Sequence, residues 1–154
     1  MSPSNGVDVN GTASEQKTSI IVTGGASGIG LAITRYFAAA GHNIAVLDVN
    51  AAQGPSIVES VANEHPNAKL TFWQCNVTSW QEQATVFKKV FDQHGGRLDV
   101  VMANAGISER GASDMVAIEA TEPLQPRLDT INVNLIGVMY SMFATSSDLE
   151  QHVD

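Results

Sequence analysis

The chain has 154 residues, of which 44% are hydrophobic and 16% are charged, and its formal net charge is −8. This composition is typical of one globular domain with a buried core and argues against a disordered chain. Lysine and arginine together number only 8 and are scattered, so nucleic-acid partners and anionic membrane surfaces are disfavoured. The single cysteine, Cys75, excludes an internal disulfide and a cysteine-based zinc site.

The two ends of the chain are polar. Residues 1–17 lack the basic start and the apolar stretch of a signal peptide, and we expect them to form a disordered lead-in. Residues 145–154 are expected to form a polar tail; its alternating acids and His152 would fit metal ligands, but a solvated chain end is favoured and no metal is predicted. The longest apolar-leaning run, at 135–144, is too short to cross a bilayer, so a cytoplasmic protein is expected.

Between these ends, in residues 18–144, short β-like runs alternate with helical runs. The predicted elements, in chain order, are a strand at 19–24, a helix at 29–40, a strand at 43–49, a helix at 51–64, a strand at 69–75, a helix at 80–94, a strand at 98–106 and a last helix beginning near Asp129. Such alternation requires right-handed crossovers and a parallel sheet. The predicted fold is therefore α/β, with a doubly wound parallel sheet of the Rossmann type.

Two predicted helices carry an apolar stripe. On the first helix the apolar side chains that fall on one face are Ile29, Ile33, Tyr36 and Phe37. On the helix at 80–94 the corresponding residues are Trp80, Ala84, Phe87, Val90 and Phe91. One apolar face on each helix is what packing against a sheet requires.

The first predicted strand runs into "TGGASGIG" at 23–30, directly before a helix. A glycine-rich turn in this position can bind phosphate, because free N–H groups and the positive end of the helix dipole point out of it. Glycines let the backbone approach a pyrophosphate closely, and the hydroxyls of Thr23 and Ser27 can add donors. A turn that needs glycine only for its backbone conformation is the alternative. The residues predicted to bind a dinucleotide here are Thr23, Gly24, Ser27, Gly28, Ile29 and Gly30.

Asp48 ends the second predicted strand, 18 residues after Gly30. An acidic residue about 20 positions after a glycine loop is suited to accept a hydrogen bond from the adenosine ribose. Its carboxylate would repel a 2′-phosphate, and "DVNAAQG" at 48–54 contains no lysine or arginine to attract one. The sequence therefore predicts NAD(H) rather than NADP(H), with a turn or cap residue as the alternative role of Asp48.

Three further motifs follow the loop: "CNVTS" at 75–79, "ANAG" at 103–106 and "NVNLIGV" at 132–138. With these four motifs in this order, over about residues 19–144, the sequence resembles the short-chain dehydrogenase/reductase family. The loop matches that family's Thr-Gly-x-x-x-Gly-x-Gly pattern. The resemblance implies that the chain is the N-terminal part of that fold and ends after the helix that carries the family's catalytic asparagine.

The resemblance also implies roles for the later motifs. Asn76 and Val77 would touch the adenine, with Asn76 in place of the usual acid but still able to hydrogen-bond the amino group. The residues that would line the cofactor cleft beside the ribose are Asn104, Ala105 and Gly106. Asn134 is the catalytic candidate. Taken singly, these asparagines and this glycine also fit ordinary turns and helix caps.

In this family a tyrosine acts as general acid and base, a lysine four residues later lowers its pKa, and a serine holds the substrate oxygen. The assistance is needed because a phenol, with a pKa of about 10, is a poor base at neutral pH. In this sequence Tyr36 is followed four positions later by Ala40, and Tyr140 by Ala144. The sequence therefore contains no Tyr-x-x-x-Lys pair.

Two functions are consistent with these observations. The first is an oxidoreductase of this family in shortened form, inactive alone, whose relatives act on a secondary alcohol or ketone of a small molecule, including secondary metabolites. The second is a non-catalytic module that binds dinucleotide or docks on a full-length relative. The last helix is apolar on two sides, which favours a homo- or hetero-oligomer. Its apolar residues are Ile131, Leu135, Ile136, Val138, Met139, Met142 and Phe143.

Overall fold

The structure is a computed structural model that describes residues 17–108 and 127–149. Its strands are Ser19–Thr23 (β1), Asn43–Asp48 (β2), Lys69–Gln74 (β3) and Val100–Met102 (β4). Its helices are Gly28–Ala39 (α1), Gly54–Glu64 (α2), Trp80–Gln93 (α3), Asp129–Ile131 (α4) and Gly137–Leu149 (α5), with a π-helix at Asn132–Ile136 between the last two.

The predicted lead-in lies outside the described residues except for Lys17. Residues 150–154 of the predicted tail also lie outside them. Helix α5 continues to Leu149, beyond residue 144, where the sequence predicted the domain to end. No helix in the two described ranges is both long enough and apolar enough to cross a membrane.

The strands form one parallel sheet in the order β3-β2-β1-β4. The chain proceeds from β1 outward through β2 to β3, and then returns to place β4 on the other side of β1. The predicted doubly wound α/β fold is confirmed. In such sheets the point where the strand order reverses, here between β1 and β4, is the usual ligand site.

Alternate side chains of the central strands supply two cores, one on each side of the sheet. On one side α1 and α2 cover Ile20, Val22, Ile44 and Val46. On the other side α3 and α5 cover Ile21, Ala45 and Leu47. Both faces of β1 and β2 are buried, which explains their uninterrupted apolar sequences.

Helix α1 does not bury the face that its apolar stripe predicted. Ile33 and Phe37 pack against the core, but Ile29 is 76% exposed and Tyr36 is 73% exposed. The buried face consists of smaller residues, which let the helix axis lie close to the sheet and to the loop before it. These buried residues are Gly30, Thr34 and Ala38.

Cys75 directly follows β3 and is 2% exposed. Burial, with a smaller contribution from the charge of Glu82, raises the pKa of its thiol to about 12. Because the thiolate is the reactive form, we expect labelling of the folded protein by a disulfide reagent at pH 8 to be slower than in denaturant by roughly a thousandfold. Absorbance of the released thiol measures both rates, and fast labelling of protein with unchanged circular dichroism would contradict the expectation.

Candidate functional site

The predicted cofactor residues gather at the carboxyl edge of the sheet. The β1–α1 loop, the end of β2, the turn after β3 and the turn after β4 all meet this edge because the strands are parallel. The amide N–H of Gly25 donates to the carbonyl of Leu47 at 3.2 Å, and that of Cys75 donates to the carbonyl of Asp48 at 3.0 Å. The neighbouring loops are thus joined by backbone hydrogen bonds.

Thr23 fastens the turn after β4 to the end of β1. Its hydroxyl oxygen accepts hydrogen bonds from the backbone N–H groups of Asn104 and Ala105, each at 3.1 Å. The side-chain amide of Asn104 donates to the Thr23 carbonyl, also at 3.1 Å. Because Thr23 is buried, its hydroxyl is not open to a phosphate as the sequence predicted, and its contacts hold the β1 and β4 ends together instead.

Two glycines of the loop are required by close backbone approach. A Cβ on Gly30 would lie 2.0 Å from the carbonyl oxygen of Gly24. A Cβ on Gly24, whose φ is +64°, would lie 2.9 Å from the Cα of Ala105. Only glycine lets the first turn of α1, the β1 terminus and the β4 turn occupy this space.

The tip of the loop is open. Ser27, Gly28 and Ile29 are all exposed, and Gly28 has a φ of +51° with no atom within 4 Å of its Cβ position. Ser27 precedes α1, and its side chain makes no capping hydrogen bond. The first N–H groups of α1 therefore lack a side-chain cap and are available to an anion.

Asp48 borders the loop from β2. Its Oδ2 accepts a hydrogen bond from the N–H of Ala26 at 3.2 Å, and its Oδ1 accepts one from the N–H of Asn50 at 3.0 Å. An ionised carboxylate has about four acceptor positions, so further positions remain for ribose hydroxyls. The residue is half-buried at the sheet edge.

The turn after β3 contains Asn76 and Val77. The Oδ1 of Asn76 accepts hydrogen bonds from the N–H of Thr78 at 3.0 Å and from its hydroxyl at 2.9 Å. Both lone pairs of this oxygen are occupied within the turn, which corrects the prediction that it accepts from the adenine amino group. Only the Nδ2 donor of Asn76 remains for a base. Glu82 accepts from the N–H of Asn76 at 2.8 Å and so fixes the turn to α3.

Asn134 lies in the π-helix and faces the turn after β4. Its Oδ1 accepts from the N–H of Ile107 and its Nδ2 donates to the carbonyl of Ile107, both at 2.9 Å. A Cβ on Gly106 would lie 3.3 Å from that Oδ1. The side chain of Asn134 therefore holds the turn in register with the helix. π-Helical turns are frequent at functional sites.

Sequence reasoning missed several buried polar residues of this region, among them Thr34 and Gln83. The hydroxyl of Thr34 lies 3.1 Å from the carbonyl of Gly25 and 3.0 Å from that of Gly30, and it stabilises the loop from within α1. Gln83 in α3 is fully buried. Its signal was present in the sequence, since it precedes Phe87 by four positions and Val90 by seven and so occupies the apolar face.

Comparison with known proteins identifies the family. The profile of the short chain dehydrogenase family matches residues 18–153. The chain is 33% identical over 127 residues to the NADP-dependent dehydrogenase M3 of Phoma sp., covering 80% of this chain and 36% of that protein. It is 33% identical over 133 residues to the 5′-hydroxyaverantin dehydrogenase of Dothistroma septosporum, covering 80% of this chain and 42% of that protein.

Solved structures agree with this assignment. The NADPH-dependent 3-quinuclidinone reductase of Rhodotorula rubra has a TM-score of 0.71 and 28% identity, over 88% of this chain and 48% of that one. An alcohol dehydrogenase of Thermococcus sibiricus has a TM-score of 0.72 and 25% identity, over 88% of this chain and 55% of that one. The chain thus spans about half the length of these structures. It belongs to the short-chain dehydrogenase family.

Proposed function

We propose that this chain is the dinucleotide-binding part of an NAD(P)-dependent oxidoreductase that acts on a secondary alcohol or ketone of a small molecule. The observation that supports it most is the contact of Gly30 with Gly24 at the point where the strand order reverses, with Asp48 beside the loop. The named dehydrogenase and reductase activities of the similar proteins support the same class.

Each group of residues is proposed to bind a different part of the dinucleotide. The first N–H groups of α1 bind the pyrophosphate, Asp48 accepts from the ribose, and the Asn76–Val77 turn contacts the base. Asn134 holds the β4 turn where the nicotinamide half would lie. When bound, the nicotinamide would supply or accept a hydride. Because the sequence has no Tyr-x-x-x-Lys pair, we propose that the 154-residue chain binds dinucleotide without turnover.

Calorimetric titration of the 154-residue chain with NAD and NADP tests binding. We expect one site per chain, and a lack of heat with either dinucleotide, for protein that melts cooperatively, would overturn the proposal. Turnover is tested by incubating the chain with a secondary alcohol and the oxidised dinucleotide. Steady formation of reduced nicotinamide would show that the chain is active by itself.

Preference for NAD over NADP is part of the proposal and rests on the carboxylate of Asp48. In Asp48→Asn we expect the affinity ratio of NADP to NAD to rise about tenfold, because about 1.4 kcal/mol of charge repulsion at a half-exposed site corresponds to that factor. Asp92→Asn removes the same charge from the exposed surface of α3 and should leave the ratio unchanged. An equal ratio in both variants would reject the role of Asp48.

A second candidate function is docking on another protein of this family. It is favoured by a row of exposed apolar side chains along the last helical segment, spaced as on one helix face. Size-exclusion chromatography after co-expression with a full-length homologue tests it, and separate elution would end the idea. The residues of this row are Leu128, Ile131, Leu135, Met139 and Met142.

A further inference from the structure

Gln83 is a buried polar residue on an otherwise apolar helix face. Its side chain is fully inaccessible to solvent, and it lies on the side of α3 that also buries Val86, Phe87 and Val90. A buried carboxamide is destabilising unless its donors and acceptor all have partners. The partners of Gln83 therefore indicate why a polar side chain is accommodated here.

Those partners belong to two separate parts of the site. The Nε2 of Gln83 donates to the carbonyl of Val77 at 2.7 Å and to the carbonyl of Gly137 at 2.9 Å. Its Oε1 accepts from the hydroxyl of Ser141 at 2.8 Å. Both amide protons and the oxygen are thus engaged, which makes the network a specific connection rather than a filler of space.

The two carbonyl groups that Gln83 joins flank different ends of the proposed cofactor. Val77 follows β3, at one edge of the sheet, whereas Gly137 directly follows the π-helix of Asn134, which is fastened to the turn after β4 at the other edge. The turn and the helix also lie close together, because a Cβ on Gly137 would lie 3.0 Å from the Cγ2 and 3.2 Å from the carbonyl oxygen of Val77. A side chain at residue 137 would therefore require the turn or the helix to shift.

We propose that Gln83 is a positioning residue that joins the turn at Val77 to the helix of Asn134, so that a nucleotide bound at the turn also orders the Asn134 segment. The inference rests on the proposed function, since it requires a nucleotide at that turn. Gln83 itself does not touch the cofactor. Because its amide group donates to both carbonyls, it fixes the distance between the carbonyl groups of Val77 and Gly137.

The probe for this connection is ADP, which has the adenine, ribose and pyrophosphate but no nicotinamide to reach Asn134 directly. We expect saturating ADP to slow amide hydrogen exchange in residues 134–141 of the full chain by about fivefold or more, within the usual range of coupling between sites. A role of Gln83 in stability alone would not make this exchange depend on ADP.

Two variants separate the connection from general stability. Gln83→Met has a similar volume but loses both donors, and ADP should bind it without slowing exchange in residues 134–141. Ser141→Ala also breaks a buried hydrogen bond of the network but keeps both donors of Gln83, so the slowing should persist. Should Gln83→Met fail to fold, Gln83→Leu removes the same two donors and provides the same test.

The outcomes distinguish the two proposals. ADP that binds the unaltered chain but leaves exchange in residues 134–141 unchanged overturns the role of Gln83 alone. Persistence of the slowing in Gln83→Met or, where that variant does not fold, in Gln83→Leu has the same consequence. Absence of binding by ADP, NAD and NADP overturns the proposed function and this inference with it.

Discussion

Gly30→Ala is expected to lower the free energy of unfolding by about 3 kcal/mol, at the upper end of the usual cost of overpacking. The new Cβ would lie 2.0 Å from the carbonyl oxygen of Gly24 and 2.6 Å from the Nδ2 of Asn104. Neither atom can move away easily, because Asn104 donates hydrogen bonds to the hydroxyl and the carbonyl of Thr23 and to the carbonyl of Met102. The higher helix propensity of alanine, about 1 kcal/mol, offsets only part of this loss. Urea denaturation followed by circular dichroism measures the change.

Gly54→Ala is the matched control for this substitution. Gly54 also begins a helix, and its Cβ would also lie 2.0 Å from another atom, but that atom belongs to the ring of Phe72. A side chain can turn away where a backbone carbonyl cannot, so the loss of stability should be smaller and dinucleotide binding should be unchanged. An equal loss in both variants would contradict the account of the loop as a junction of three backbones.

Gly28→Ala is expected to weaken dinucleotide binding by about tenfold to a hundredfold while costing only about 1–2 kcal/mol of stability. Gly28 has a positive φ and an open Cβ position at the exposed tip of the loop. An added methyl group therefore meets nothing in the protein, but it stands where a pyrophosphate must approach the backbone. Titration calorimetry gives the affinity and thermal unfolding gives the stability.

Gly95→Ala is the matched control, because it also places alanine at a positive φ but lies away from the candidate site. Gly95 has a φ of +74° and likewise no atom within 4 Å of its Cβ position, but it follows α3 at the opposite edge of the sheet. We expect a similar loss of stability and full dinucleotide affinity. If the two variants bind dinucleotide equally well, the loop tip is not where the phosphates lie.

The two central strands could be predicted from local sequence because β1 and β2 are buried on both faces. The sequence places β2 at 43–49 and the structure at Asn43–Asp48, since an unbroken apolar run has no other stable location. The last strand was predicted at 98–106 and is only Val100–Met102. Beyond Met102 the N–H of Asn104 donates to the side-chain hydroxyl of Thr23 instead of to a backbone carbonyl of β1, and Thr23 lies 81 residues earlier in the sequence.

The candidate site was proposed from sequence, because glycine at a loop and an acid at the next strand end are local requirements of phosphate and ribose binding. The role of each side chain was less predictable. Thr23 was expected to donate to phosphate and is instead buried against the β4 turn. Asn76 was expected to accept from adenine, but its oxygen is occupied by Thr78. A hydrogen-bond acceptor has no preference among donors until the fold brings one near.

The amino-acid sequence alone determined the α/β class and the parallel sheet, which follow from the alternation of apolar strands and helical runs, and its four motifs in order indicated the family. Tertiary structure decided which face of α1 is buried, the π-helix at Asn132–Ile136 and the connection made by Gln83. Each of these depends on a distance between backbones that are remote in sequence. Packing sets that distance, and no local pattern encodes it.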